Sequence, residues 1–211
     1  MSRPVVAIGD DGRYPSRPGR LALAGRLVHF QSMVITEQPV SLGEQHARNL
    51  RHWEAAQQDP QVRDFVGQVE ITEHGRFLMA PPPDSWHGYR ESRFTVMLDR
   101  LLGDYALGEM ALSTARGVRE IDAGWCSPGR YTALRHQRLW TQAPEICVEV
   151  LSPSNPREEM LKKARLYFEI GAAEVWLCHE DARMEFLVGG SPLEAIPWSR
   201  VCPDFPTQLE S

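Results

Sequence analysis

The chain has 211 residues, of which 42% are hydrophobic and 24% are charged, and its formal net charge at pH 7 is −5. These values are typical of one globular domain with a sizeable core. The negative charge argues against a protein that coats polyanions with a uniformly basic surface, so any nucleic-acid contact must come from a local basic patch. No apolar run approaches membrane-spanning length, and Arg26 interrupts the first one too early for a signal peptide.

The four cysteines are far apart along the chain and form no CxxC pair: Cys126, Cys147, Cys178 and Cys202. Such spacing argues against a zinc site. We predict reduced thiols in the core of a cytoplasmic protein that does not contact membranes.

Residues 1–47 are rich in arginine, proline and glycine and contain one candidate strand, around Arg26 to Thr36. We interpret this segment as an extension that wraps the domain or forms an oligomer contact, ahead of a domain that spans residues 48–211. Its arginines could touch a phosphate backbone, and a solvated, loosely ordered arm is the alternative.

The first part of the domain contains helix and hairpin patterns. Arg48 to Gln57 predicts a short helix, and Val69 to Met79 predicts a hairpin that turns at His74-Gly75. After three prolines, Ser85 is predicted to cap an amphipathic helix that ends near Leu102.

Two features of the next segment leave alternatives open. His87, at the start of the predicted helix, is either a substrate contact or a capping or solvated histidine. Gly117 to Trp125 predicts a strand in which Glu120 and Asp122 share one side. Either carboxylate could be functional or a surface residue.

The segment 123–144 has no acidic residue but contains several basic residues, among them Arg130, Arg135 and Arg138. Because aromatic residues flank these arginines, the segment could contact phosphates and stack a base. A flexible surface loop without a partner is the alternative.

The stretch from Ile146 to Cys178 predicts strand, turn, helix and strand. Ile146 to Leu151 is almost continuously apolar, which is typical of a strand buried on both faces. Asn155 is predicted to cap a helix whose first residue is Pro156, and Gly171 is predicted to end it. Glu174 to Cys178 then forms a strand that pairs with a second strand, Met184 to Val188.

Glu149 is the exception in the buried strand, because an unpaired carboxylate there is costly to bury. Helical periodicity places Lys163 at the margin of the buried stripe, where it could reach the strand. The alternatives are that Glu149 reaches water or a surface lysine, and that Lys163 pairs with Glu159 one turn earlier.

Two stretches resemble the Uma-type family, proposed endonucleases with the PD-(D/E)XK restriction-endonuclease-like fold. The first is VEVLSPSN, followed at four-residue steps by Glu159, Lys163 and Tyr167 and then by GAAEVWL. The second is VEITEHGRFLMAPPPDSWHG, from Val69 to Gly88. The resemblance runs from about residue 48 to about residue 188.

The resemblance implies an α/β fold, in which helices flank a mixed central sheet. It also implies an endonuclease that uses Mg²⁺ or Mn²⁺ to hydrolyse DNA. We expect a homodimer, since cutting both strands favours two symmetric sites. Asp122 and Glu149, with the backbone carbonyl of Val150, would hold the metal, and Lys163 would activate the water. Two further acids are implied in lesser roles, Glu70 as a fourth site residue and Glu159 in orienting Lys163 or the metal's outer shell.

The sequence departs from the family pattern at Ile121, where the family has a proline before its aspartate. It also has Leu151 where the fold usually carries its lysine. These departures keep a second hypothesis open, a nuclease-fold module that binds nucleic acid or a protein partner without cutting. A third hypothesis is that the basic segment 123–144 binds a small phosphorylated ligand.

Overall fold

The structure, a computed structural model, describes residues 40–103, 105–152 and 156–210. Most of the predicted extension, including the candidate strand Arg26 to Thr36, lies outside these residues. The division at residue 47 stays a prediction. The first described helix begins at Leu42, within the segment that the sequence assigns to the extension.

The described elements, in chain order, are α1 (Leu42–Ala56), α2 (Pro60–Arg63), β1 (Gln68–Thr72), β2 (Phe77–Ala80), α3 (Ser85–Leu102), β3 (Ala106–Leu107), β4 (Met110–Thr114), β5 (Gly117–Ile121), β6 (Ala123–Trp125), α4 (Pro128–Leu134), β7 (Ile146–Val150), α5 (Arg157–Glu169), β8 (Glu174–Cys178), β9 (Met184–Val188) and β10 (Glu194–Ile196).

These strands form two sheets within the described part of the chain. The smaller one is antiparallel, with the order β2-β1-β5-β4. The larger one has the order β10-β9-β8-β7-β6-β3, and it is mixed because β7 and β8 run parallel. Parallel neighbours require a crossover connection, and here α5 forms it. The predicted hairpins β1–β2 and β8–β9 are confirmed.

Helices cover both faces of the larger sheet. Phe94 and Leu98 of α3 pack with Val148 and Trp176 on one face. On the other face, Ala164 of α5 joins a cluster that includes Cys147 and Leu177. All five residues of β7 are buried, as predicted for a strand covered on both sides.

The helix starts differ from the predictions. Ser41 caps α1 through a capping box with Glu44, so that helix begins earlier than Arg48. Asp84, and not Ser85, caps α3. Helix α5 begins at Arg157, with Pro156 at the N-cap position and no side-chain cap, so its predicted start at Pro156 is wrong. Asn155, the predicted cap, lies outside the described residues.

The predicted strand from Gly117 to Trp125 is wrong in one respect, because it divides at Asp122. Its first part, β5, pairs with β1 and β4, whereas its second part, β6, pairs with β3 and β7. Asp122 therefore lies where the chain passes from one sheet to the other.

Two further findings concern the cysteines and the length of the apolar helices. Cys126, Cys147, Cys178 and Cys202 are all free and buried, as predicted. Among the helices that the structure describes, none is long and apolar enough to cross a membrane.

Candidate functional site

Glu149 lies in the middle of the buried core. Its side chain is only 2% exposed, and it shares the α5 face of the sheet with Cys147 and Leu151. A carboxylate in this position requires strong partners, because desolvation disfavours its charged form.

Lys163 supplies the first of these partners. Its Nζ lies 2.9 Å from Glu149 Oε1 and 3.0 Å from Oε2. The same ammonium donates to the Glu120 carbonyl at 2.7 Å and lies 3.1 Å from Glu70 Oε1. Lys163 therefore brings together groups from β1, β5 and β7.

Glu159 is not placed to orient Lys163, which corrects one of the two roles implied for it, and its role in the metal's outer shell stays a prediction. Its carboxylate pairs instead with Lys162, at 2.7 Å, on the exposed side of α5. The side chains of both residues are more than half exposed. One step along the helix rotates a side chain by about 100°, which separates Lys162 from Lys163.

Tyr167 is the second partner of Glu149, a role that the sequence analysis did not assign to it. Its hydroxyl donates to Glu149 Oε1 at 2.6 Å and lies 3.2 Å from the Glu120 carbonyl. The signal in the sequence was its spacing, since it follows Lys163 by one turn and therefore lies on the same face of α5.

Burial and neighbouring charges together set the protonation of Glu149 and Lys163. Burial raises the pKa of Glu149 to about 8, and the charge of Asp122 adds to this, while Lys163 and Tyr167 oppose it. For Lys163, burial lowers the pKa, but the carboxylates of Glu149, Glu70 and Asp122 raise it by more, so it ends above the usual value. Lys163 therefore remains charged near neutral pH.

Asp122 lies close to this cluster but has other partners. Its Oδ2 accepts a hydrogen bond from the Val150 amide at 2.7 Å, and Gln68 Nε2 donates to Oδ1 at 3.3 Å. The amide and carbonyl of one strand residue point towards the same neighbouring strand. We therefore expect the Val150 carbonyl to face the side on which Asp122 lies.

His87 is buried beside Asp122, so the capping and solvated alternatives for it are both wrong. Its Nε2 lies 3.3 Å from Asp122 Oδ2 and 3.0 Å from Glu91 Oε1. Burial lowers the pKa of His87, but the two carboxylates raise it by more, to about 10. Sequence reasoning missed Glu91, although a carboxylate one helical turn after a histidine marks a shared face.

The donor set fits a divalent cation. One ligand atom from each of His87, Glu91 and Asp122 lies within 4.8 Å of the other two. His87 Nε2 and Glu91 Oε1 are both buried. They lie 3.0 Å apart, but neither atom has a hydrogen-bond partner among the described residues. A cation would satisfy all three atoms, after displacing the imidazole proton. Glu149 is not a member of this group.

Glu70 and Glu120 complete the surroundings of Lys163. Glu70 Oε1 also accepts from the Glu120 amide at 3.2 Å. Glu120 contacts Lys163 through its carbonyl, while its Oε2 is buried and has no hydrogen-bond partner among the described residues. Burial raises the pKa of Glu120 to about 7, with further contributions from Glu109 and Glu70.

The arginines of the basic segment 123–144 do not lie beside Glu149. Trp125, which leads into α4, pairs with Ile146 at the start of β7, whereas Glu149 is near the other end of that strand. Arg130 of α4 is held by the Ala143 and Gly171 carbonyls and by Glu145.

No contact among the described residues places either of the other two arginines at the acids. Arg138 pairs with Glu54 at 3.1 Å, and Arg135 is exposed.

Comparison with known proteins identifies the family. A family model described as "Uma2: Putative restriction endonuclease" matches residues 49–188. The chain belongs to the Uma2 family. This confirms the resemblance and its approximate limits, and it supports nuclease function.

A solved structure supports the Uma2 fold. It is described as "a putative nuclease belonging to DUF820 from Anabaena variabilis ATCC 29413". The match has a TM-score of 0.57 at 14% identity, and it covers 69% of this chain and 91% of the other. The predicted restriction-endonuclease-like α/β fold is therefore confirmed. A search of curated proteins finds no match for this Uma2 chain.

Proposed function

We propose that the chain is a metal-dependent endonuclease that hydrolyses phosphodiester bonds in DNA. The observation that carries the proposal is the convergence of Lys163, Glu149 and Glu70, with Asp122 beside them and His87 next to Asp122. The description of the Uma2 family as restriction endonucleases supports DNA as the substrate.

Asp122 would hold the cation together with His87 and Glu91, whose ligand atoms lie close to it. Glu149 and the Val150 carbonyl are proposed as further ligands. Oxygen donors suit Mg²⁺ and Mn²⁺, and an imidazole ligand shifts the preference towards Mn²⁺. A bound divalent ion supplies Lewis-acid stabilisation of the phosphoryl oxygens and lowers the pKa of water. Its charge would also relieve the repulsion between neighbouring carboxylates.

Lys163 is proposed to act through its positive charge. It would position the attacking water by hydrogen bonding and offset the negative charge that develops on the phosphate. Glu149 holds the ammonium in place for this role, and the Tyr167 hydroxyl in turn holds Glu149.

Three further features of the proposal concern assembly, location and contacts. Cutting both strands of a duplex favours two symmetric sites, which supports a homodimer. Four unpaired, buried cysteines fit a reducing compartment, so we propose the cytoplasm. Of the three arginines that the sequence singles out, exposed Arg135 is the one we retain as a candidate for DNA contact.

The test is cleavage of supercoiled plasmid and of linear single-stranded DNA with Mg²⁺, with Mn²⁺ and with EDTA. We expect cleavage by the wild-type protein only with a divalent ion, and its loss in Glu149→Gln. The matched control is Glu158→Gln, because Glu158 is an exposed acid on α5. Metal binding without any cleavage would favour the non-catalytic module, and equal cleavage by Glu149→Gln would overturn the proposed role of this residue.

A further inference from the structure

One face of α3 carries an exposed pair of aromatic rings. Trp86 and Tyr89 are stacked, with ring centroids 5.5 Å apart and planes inclined by 16°. They are 46% and 50% exposed. Because neither ring is covered by the core, burial does not explain why two large aromatic side chains are stacked there.

Arg90 fixes the orientation of this pair. Its guanidinium carbon lies 5.0 Å from the centroid of the Trp86 ring. The same group donates to the carbonyls of His179 and Glu180, at 2.9 and 2.5 Å. Arg90 is 4% exposed, and its buried Nε has no hydrogen-bond partner within the described chain. The Trp86 ring, on which Tyr89 stacks, is therefore oriented before any ligand arrives, which lowers the entropic cost of binding.

The pair borders a cavity of about 250 Å³ between α3 and the C-terminal segment 206–210. Its lining includes Arg93 and the apolar side chains of Met97 and Leu209, with Glu210 as its acid. Pockets that enclose drug-sized ligands measure about 300–1,000 Å³. A cavity of this size therefore suits one flat group inserted at the rings.

The cavity and the acidic site are neighbours on one helix. Trp86 precedes His87, and Arg90 precedes Glu91. Successive residues of a helix differ by about 100° in direction, so these pairs point to adjacent faces of the same turns. The rings therefore lie on the face of α3 next to the one that carries His87 and Glu91.

We propose that Trp86 and Tyr89 stack one unpaired nucleobase of the substrate, which makes the preferred substrate single-stranded or locally opened DNA. The inference rests on the proposed function and specifies its substrate class. Aromatic rings beside arginines are the usual means by which proteins bind single strands, because every base offers a π-face. Arg93, which has no ion pair with any described residue, is free to meet the adjacent phosphate.

Binding in EDTA tests the stacking site without requiring cleavage. The probe is a fluorescein-labelled oligothymidine, followed by fluorescence anisotropy, and the comparison strand is an abasic backbone of equal length. We expect Trp86→Ala and Tyr89→Ala each to weaken binding of oligothymidine about tenfold, in line with stacking measured by alanine substitution. Tyr89→Phe keeps the ring and should bind as the wild type does.

Two further variants make the result specific. Trp198→Ala is the matched control, because Trp198 is 59% exposed and lies outside the cavity. We expect it to leave binding unchanged. Arg93→Ala should weaken binding of both strands alike and reduce the dependence of affinity on salt. Melting temperatures confirm that each variant is folded.

The outcomes separate this inference from the proposed function. Wild-type cleavage of DNA, together with normal oligothymidine binding by Trp86→Ala and Tyr89→Ala, would overturn the stacking site and leave the nuclease proposal standing. Equal losses on the abasic strand would overturn stacking in the same way. If the wild-type protein neither binds nor cuts DNA, the proposed function fails and this inference fails with it.

Discussion

Lys163 Nζ lies 2.9 Å from Glu149 Oε1, although the two residues belong to different elements and are 14 positions apart. The strand β7 provides the acid, and the crossover helix α5 provides the cation. In this chain the position of the usual strand lysine is taken by Leu151, which is buried. Helix α5 therefore supplies the ammonium that strand β7 lacks.

Lys163→Met should abolish most of the nuclease activity, since it removes the charge and keeps much of the side-chain volume. We expect a fall in cleavage rate of roughly a hundredfold, as for loss of one group that stabilises charge in a transition state. The variant should also lose up to about 3 kcal/mol of unfolding free energy, because Glu149 is left buried without its cation. Plasmid cleavage and urea denaturation measure the two effects.

Lys162→Met is the control for that change. Lys162 is next in sequence, but its side chain is 56% exposed and pairs with Glu159. An exposed ion pair contributes less than about 1 kcal/mol, so stability and activity should stay near the wild-type values. If both lysine variants behaved alike, Lys163 would have no special role.

Much of the part of the site around Glu149 and Lys163 could be predicted from the sequence. The apolar run of β7 made Glu149 conspicuous, and helical periodicity distinguished Lys163 from Lys162. The hydroxyl of Tyr167 could not be predicted as a partner, because periodicity indicates only that the residue faces the core. Which atom it meets depends on the distance between α5 and β7, and that distance is set by packing.

His87→Ala should weaken the binding of Mn²⁺ more than that of Mg²⁺, because imidazole is a better ligand for transition metals. We expect Mn²⁺ affinity to fall on the order of ten- to a hundredfold, the range found when groups supporting a metal are removed. Isothermal titration calorimetry measures both ions. His136→Ala is the control, since His136 is exposed, and an unchanged Mn²⁺ affinity in His87→Ala would exclude His87 as a ligand.

Glu174→Ala should destabilise the fold. The buried carboxylate accepts from Trp176 Nε1, Ser199 Oγ and the amides of Arg200 and Val201, at 2.6 to 3.0 Å. Its removal leaves several buried donors unpaired, so we expect a loss of at least about 3 kcal/mol in unfolding free energy. Exposed Glu194, on β10, provides the control variant Glu194→Ala. Similar denaturation midpoints for the two variants would refute this role.

The contact between Arg157 and Glu185 should make stability depend on pH in the acid range. Hydrogen bonding from Arg157 holds the pKa of Glu185 below its usual 4.5, against an opposing effect of burial, and His179 adds to the lowering. A lowered pKa stabilises the folded state above the unfolded value, and this contribution disappears as pH falls through the folded value.

Glu185→Gln measures that contribution. We expect the variant to be less stable than the wild type by about 1 kcal/mol near pH 6, because Arg157 is half exposed. The difference should shrink as pH falls below 4.5, where the wild-type carboxylate takes up its proton. Urea denaturation across this range follows both proteins, and a difference that stayed constant with pH would show that the charge of Glu185 is not responsible.

The surroundings of Asp122 were harder to predict. Alternation through Gly117 to Trp125 gives one continuous strand, and only tertiary pairing divides it between two sheets at Asp122. Glu91 was missed because it lies in an ordinary amphipathic helix. The position of the arginines of residues 123–144 could not be predicted, because the strand order, which puts α4 near the start of β7, cannot be deduced from composition.

The most direct test of the proposed metal centre is Mn²⁺ binding by the wild-type protein and by Asp122→Asn, followed by electron paramagnetic resonance of the free ion. The substitution keeps the shape of the side chain and removes its charge. We expect the wild type to bind Mn²⁺ and to cleave DNA in the same buffer, and Asp122→Asn to do neither. Equal Mn²⁺ binding by the two proteins, or cleavage by the wild type in EDTA, would contradict a metal-dependent nuclease centred on Asp122.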